Sequence, residues 1–94
     1  MKNNFIVDEF YCTQCGSQGI PIPRRKGAER EAGHLKKLFC LKCGKEVNFC
    51  EIKLFAQNYT YDDFLLEFEN GNFDENGNRI MSFKNFKQKI GQMK

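Results

Sequence analysis

Two copies of one short pattern, Cys12-Thr13-Gln14-Cys15-Gly16 and Cys40-Leu41-Lys42-Cys43-Gly44, dominate the chain and together read C-x2-C-x24-C-x2-C. Two residues between cysteines let both sulfurs of a tight turn point at one ion. The glycine after each pair can adopt the positive φ that closes such a turn and brings backbone N–H groups towards the sulfurs. Two knuckles of this kind supply four soft anionic ligands in a tetrahedron, which suits Zn²⁺ and leaves no open position for water. The expected cofactor is therefore a structural Zn²⁺ held by Cys12, Cys15, Cys40 and Cys43.

The rest of the composition agrees. A chain of 94 residues buries a modest core, and a structural metal is a sensible supplement to it. The start of the chain, Met1-Lys2-Asn3-Asn4-Phe5-Ile6-Val7-Asp8, has no apolar signal region, and no stretch approaches the length needed to span a membrane. Five cysteines, an odd number, without a secretion signal point to reduced thiols and a cytoplasmic setting rather than to disulfides.

Outward from the knuckles, Phe5 to Tyr11 reads as a strand entering the first, and Ser17-Gln18-Gly19 as a turn leaving it. Ile20-Pro21-Ile22-Pro23 is extended, and its prolines suit an edge strand. Arg24 to Gly33 is a charged excursion with room for a helical turn over Ala28 to Ala32. His34 to Phe39 leads into the second knuckle as a strand, and Glu46 to Leu54 leaves it as another. The expected fold class is a small α+β protein: a four-cysteine zinc ribbon of short antiparallel strands over 1–55, then two short helices over 56–94 packed on or next to it.

In the second half, Thr60 is a candidate N-cap with Asp62 and Asp63 in the first turn, and Tyr61, Phe64, Leu65 and Phe68 share one helical face. Asn70-Gly71 supplies a stop. Ser82 caps a second helix whose stripe is Phe83, Phe86, Ile90 and Met93. Between the helices, Phe73 to Ile80 reads as a tight turn on Asn76-Gly77. These Phe-dominated stripes read as core, since a base-stacking surface more often exposes Tyr, His or Arg as well.

The net charge of +3 is small, and four thiolates around one Zn²⁺ bring the loaded chain to about +1. The local pattern is stronger. Arg24, Arg25, Lys26, Arg30, Lys36, Lys37, Lys42 and Lys45 lie between Pro23 and Val47 against Glu29, Glu31 and Glu46. Such a run is either a phosphate- or protein-binding footprint, or a solvated loop whose lysines offset the anionic centre.

Three features invite sharper readings. Cys50 is a spare ligand, a reactive thiol or, by default, a small buried apolar residue. His34 offers an alternative ligand that the complete knuckles make unnecessary. Asp74-Glu75-Asn76-Gly77-Asn78 lacks the spacing and the terminal glutamate of a calcium loop, and reads as a turn. Enzyme readings fail by absence: one histidine, no P-loop, no deaminase signature, and a metal without a vacant site.

The runs Gly19 to Arg25, Gly33 to Cys40 and Cys43 to Glu46, with Phe64 to Phe73 downstream, resemble small zinc-ribbon proteins encoded by bacteriophages of Gram-positive bacteria. That resemblance implies a host bacterial cytoplasm and a partner that is either nucleic acid or a host machine. The leading expectation is a binding module, not an enzyme, that contacts phosphates without sequence specificity through Arg24, Arg25, Lys26, Arg30, Lys36 and Lys37. The alternative is an effector that docks on a host polymerase, nuclease or defence protein and modulates it.

Overall fold

The strands are dictated by what they must deliver to the knuckles. In the computed structural model, which describes residues 5–25, 33–53 and 59–92, β1 (Phe5–Cys12) and β3 (Leu35–Cys40) each end on a cysteine, and β4 (Lys45–Ile52) leaves the second knuckle. With β2 (Ile22–Arg25) they form an antiparallel sheet of order β2-β1-β4-β3. β1 divides its pairing: Phe5 to Asp8 face β2, and Glu9 to Cys12 face β4. The proline-bearing strand is at an edge, as its missing N–H groups require. It begins two residues later than the sequence suggests, because Gly19 first hydrogen-bonds back to Phe10 and the chain reaches register with β1 only at Ile22. The helical turn expected over 28–32 lies outside the described residues.

β4 is buried along most of its length, the mark of a strand covered on both faces. Its alternate residues feed two separate cores. Val47 and Phe49 join Phe10, Cys12 and Cys40, with Ile22 and Leu38 against them. Cys50 and Ile52 join Tyr59 and Phe64, with Tyr11, Leu35 and Phe73 against them. The register explains the division: Phe49 is level with Cys12 and Lys36, and Cys50 with Tyr11 and Leu35.

The helices cover the second core. α1 (Tyr61–Glu69) starts on Thr60, which exchanges hydrogen bonds with Asp63 in a capping box. Its fully buried Phe64 meets Tyr11, Phe68 and Phe73 at ring-centroid separations of 5.5, 5.7 and 5.8 Å. α2 (Phe83–Gln92) is capped by Ser82, whose Oγ accepts from the Asn85 N–H, and it buries Phe86. The aromatic stripes are thus largely core. Of the second stripe, Met93 is outside the described residues.

Between the helices a turn forms on Asp74, whose carboxylate accepts the N–H groups of Asn76 and Asn78, both at 2.9 Å. Both bonds fall on one oxygen, Oδ1, and the strand pairing across the turn is one bridge, Phe73 to Arg79. The turn docks on the first knuckle: Gln14 Nε2 donates to Asp74 O, and Asn48 Nδ2 to Gly77 O. Gly77 has φ +80°, and a Cβ there would lie 2.7 Å from Thr13 Oγ1. Both facts demand glycine.

One polar cluster ties the helices to the sheet. Arg79 forks onto the fully buried Glu67, Nε to Oε2 at 2.7 Å and Nη2 to Oε1 at 2.9 Å. Its Nη1 donates to Gly33 O at 3.0 Å, and Nη2 also reaches Tyr59 Oη at 3.3 Å. Tyr59 and Asn72 donate to the two Glu67 oxygens. Burial draws Arg79 towards neutrality, but Glu67 outweighs it and raises its pKa. Removing one partner of a buried ion pair strands the other, which costs about 3–5 kcal/mol. Arg79→Leu should therefore lower the unfolding free energy of the metal-loaded protein by that amount in urea titrations. Exposed Lys87→Ala should leave it nearly unchanged.

Candidate metal centre

The four knuckle cysteines come together from distant parts of the sequence. Their Sγ atoms all lie within 4.8 Å of one another, with Cys12 to Cys43 at 3.8 Å and Cys15 to Cys40 at 3.6 Å. A tetrahedron with metal–sulfur bonds of about 2.3 Å has edges of about 3.8 Å, so the spacing fits a four-thiolate ion. The knuckles are closed as their spacing requires. Gly16 and Gly44 take φ of 78° and 71°, and their N–H groups donate to Cys12 O and Cys40 O. Backbone N–H groups approach the sulfurs: Gln14 and Cys15 reach Cys12 Sγ at 3.3 and 3.4 Å, and Cys43 reaches Cys40 Sγ at 3.3 Å.

The electrostatics are uneven. Burial pushes the Cys12 thiol up to about 12, despite the N–H groups of Cys15 and Gln14 that pull it down. Burial also raises Cys43. At Cys40 burial acts the same way, but the Cys43 N–H and the neighbouring sulfur of Cys15 outweigh it and bring the thiol down to about 6. A soft divalent cation would displace the remaining protons and balance the anions. Cys12 and Cys40 are buried, Cys43 is half-buried and Cys15 is exposed. All four positions of such an ion would be filled by protein sulfur.

The other candidate ligands stay apart. Neither His34 nor Cys50 belongs to the ligand group found among the described residues. His34 uses its carbonyl to accept from the Glu51 N–H across β4. Cys50 is fully buried in the helix-side core, donating towards Tyr59 Oη at 3.5 Å or Gly33 O at 3.6 Å. Burial pushes its thiol up to about 11, against the lowering effect of Tyr59 and Arg79.

The backbone places the described residues of the expected basic set on two different strands. Arg24 and Arg25 belong to β2, opposite Ile6 and Phe5, whereas Lys36 and Lys37 belong to β3, opposite Phe49 and Asn48. These are the two outer strands. The Arg25 level and the Lys36 level are separated by roughly 23 Å along β1, at about 3.3 Å per residue. Lys26 and Arg30 lie outside the described residues.

Two features escaped the sequence reading. One is the Glu67–Arg79 cluster. Its only sequence signal was an acidic residue beside the apolar stripe of α1 and a lone arginine in an Asn/Gly-rich turn. The other is an apolar surface at the metal end. Ile20, Phe39 and Leu41 are 78%, 58% and 86% exposed and border a groove of about 610 Å³ whose lining includes Phe49.

No family model matches the chain, and no curated protein or solved structure matches it. Among the described residues, no helix is long and apolar enough to cross a membrane.

Cys40→Ser removes a buried ligand at the end of β3. It should abolish stoichiometric metal binding and lose the β-sheet signal in circular dichroism, and chelation of the wild type should do the same. A second expectation concerns Cys50. In the metal-loaded protein, iodoacetamide should leave Cys50 unmodified until denaturant is added, as read by peptide mass spectrometry.

Proposed function

We propose that the chain is a zinc-ribbon binding module without catalytic activity, in which a structural Zn²⁺ displays the knuckle end of the sheet to another protein. The observation that carries this reading is the side-by-side exposure of Ile20, Phe39 and Leu41 at the groove beside the metal ligands. Scattered exposed apolar residues are ordinary, but a contiguous set rimmed by polar residues marks an interaction surface. Two of the three are aliphatic, which suits a protein face better than a stack of bases. Four sulfur ligands around the ion leave it no site for activating water, so the metal's role is to hold this surface rigid. If the phage resemblance holds, the partner is a host protein.

One observation favours phosphate-backbone binding as a second reading: Lys36, Lys37, Lys42 and Lys45 all sit on or between β3 and β4. It carries a steep loss of affinity with salt. The readings separate by substitution. The tagged, zinc-loaded chain would be used to recover partners from bacterial lysate, with and without nuclease. Each buried Phe or Leu is worth about 1.5–3 kcal/mol. Phe39→Ser with Leu41→Ser should thus weaken a protein complex at least about a hundredfold, while Arg24→Glu with Arg25→Glu leaves it intact. Loss of all bound material on nuclease treatment, with binding sensitive to charge reversal at Lys36, Lys37, Lys42 and Lys45, would replace the protein reading with the phosphate one.

A further inference from the structure

We infer that the knuckle end takes an extended, acidic segment of another protein, added as a further strand along the outer edge of β3, with an apolar side chain seated in the adjoining groove. This deepens the protein-docking reading and rests on it. The sheet has two outer strands, β2 and β3. Strand addition needs a row of backbone donors and acceptors. β2 is poorly suited, because Pro21 precedes it and Pro23 lies within it, and neither offers an N–H. β3 runs Leu35-Lys36-Lys37-Leu38-Phe39-Cys40 without proline, and beyond its pairing to β4 no other strand lies along it among the described residues.

The groove supplies the side-chain pocket. Leu38 and Phe39 of β3, with Ile20, Ile22 and Phe49, line a part of it of about 310 Å³. It runs on to the second knuckle itself, where Leu41 and Lys42 line it. A strand on β3 would point alternate side chains into and away from this space.

Charge selects the occupant. β3 carries Lys36 and Lys37, and Lys42 borders the groove. Edge lysines oppose pairing with a second copy, because the like charges would meet. The same lysines favour a strand bearing carboxylates. Of the rings that line it, Phe49 is buried and only Phe39 is exposed, so a nucleic acid would find one ring to stack on rather than a platform.

The test begins with panning a random peptide display library on the immobilised, zinc-loaded full chain. The enriched sequences should place Asp or Glu on both sides of a bulky apolar residue, with alternating rather than helical spacing. The best peptide should slow amide hydrogen exchange across Leu35–Cys40. Its affinity should fall at least tenfold with Lys36→Glu and Lys37→Glu together, and at least about tenfold with Phe39→Ser. All three side chains are exposed or half-buried, so these variants should fold. Peptides that need Phe39 but show no acidic preference, or leave β3 exchange unchanged, would overturn strand addition while leaving apolar docking in place. No enrichment, with lysate capture indifferent to Phe39→Ser, would remove both. A dimer in sedimentation that Phe39→Ser dissociates would make a second copy the occupant and overturn the acidic segment. So would an oligonucleotide that binds through Lys36 and Lys37 independently of Phe39.

Discussion

Four sulfur atoms confined within 4.8 Å of one another are the condition that the other elements serve. Thiolates at that spacing repel unless a cation sits among them, and protonated thiols would leave the knuckles without a centre. β1 and β3 end where they do because each must hand over a cysteine. The energy involved is of the right order. Structural zinc is worth about 10–16 kcal/mol in small thiolate sites, comparable to the whole stability of an ordinary domain at about 5–15 kcal/mol. The knuckle-side core of Phe10, Val47 and Phe49 grows directly from the cysteines, so an ion held there and the apolar packing would stand or fall together.

The helix side is organised differently. There no ion is needed, and a buried carboxylate does the gathering. Glu67 draws Arg79, Tyr59 and Asn72 to itself, and Arg79 passes the link on to Gly33 in the segment that precedes β3. Such a cluster is worth little as net attraction after desolvation, but it fixes one arrangement. The two faces of the sheet also differ in completeness. The helix-side face is covered by α1, α2 and the Asp74 turn. On the other face Phe10, Val47 and Phe49 are buried as well, but Ile20, Phe39 and Leu41 beside them remain exposed.

What was legible in the sequence was what local chemistry determines. The C-x2-C spacing located both knuckles, because ligand geometry is set within a single turn. The 3.6-residue stripe and Thr60 located α1, since capping and burial act within a few residues. Prolines placed β2 at an edge for the same kind of reason. Interactions between distant positions were not legible. Nothing in the neighbourhood of Glu67, Arg79 or Tyr59 announces that they meet, because their partners are chosen by the packing of three separate segments. The basic run looked continuous from Arg24 to Lys37, yet pairing sends its two ends to opposite outer strands. Exposure of Ile20, Phe39 and Leu41 was equally invisible, since it depends on which strand fails to find a neighbour.

β4 is where these two worlds share a backbone. Val47 and Phe49 face the cysteines, and Cys50 and Ile52 face the helices. A shift of one residue along β3 would exchange the two sets, turning Asn48 towards the sulfurs and Phe49 towards Tyr59. Most sheets with one wet face can tolerate a local misalignment on that face. Here a slip is penalised from both sides at once, and Lys45 is held level with Cys40 by the knuckle that joins their strands. The hairpin therefore works as a calibrated rule: the tetrahedron of sulfurs sets its zero, and the position of every residue under the helices is read from it.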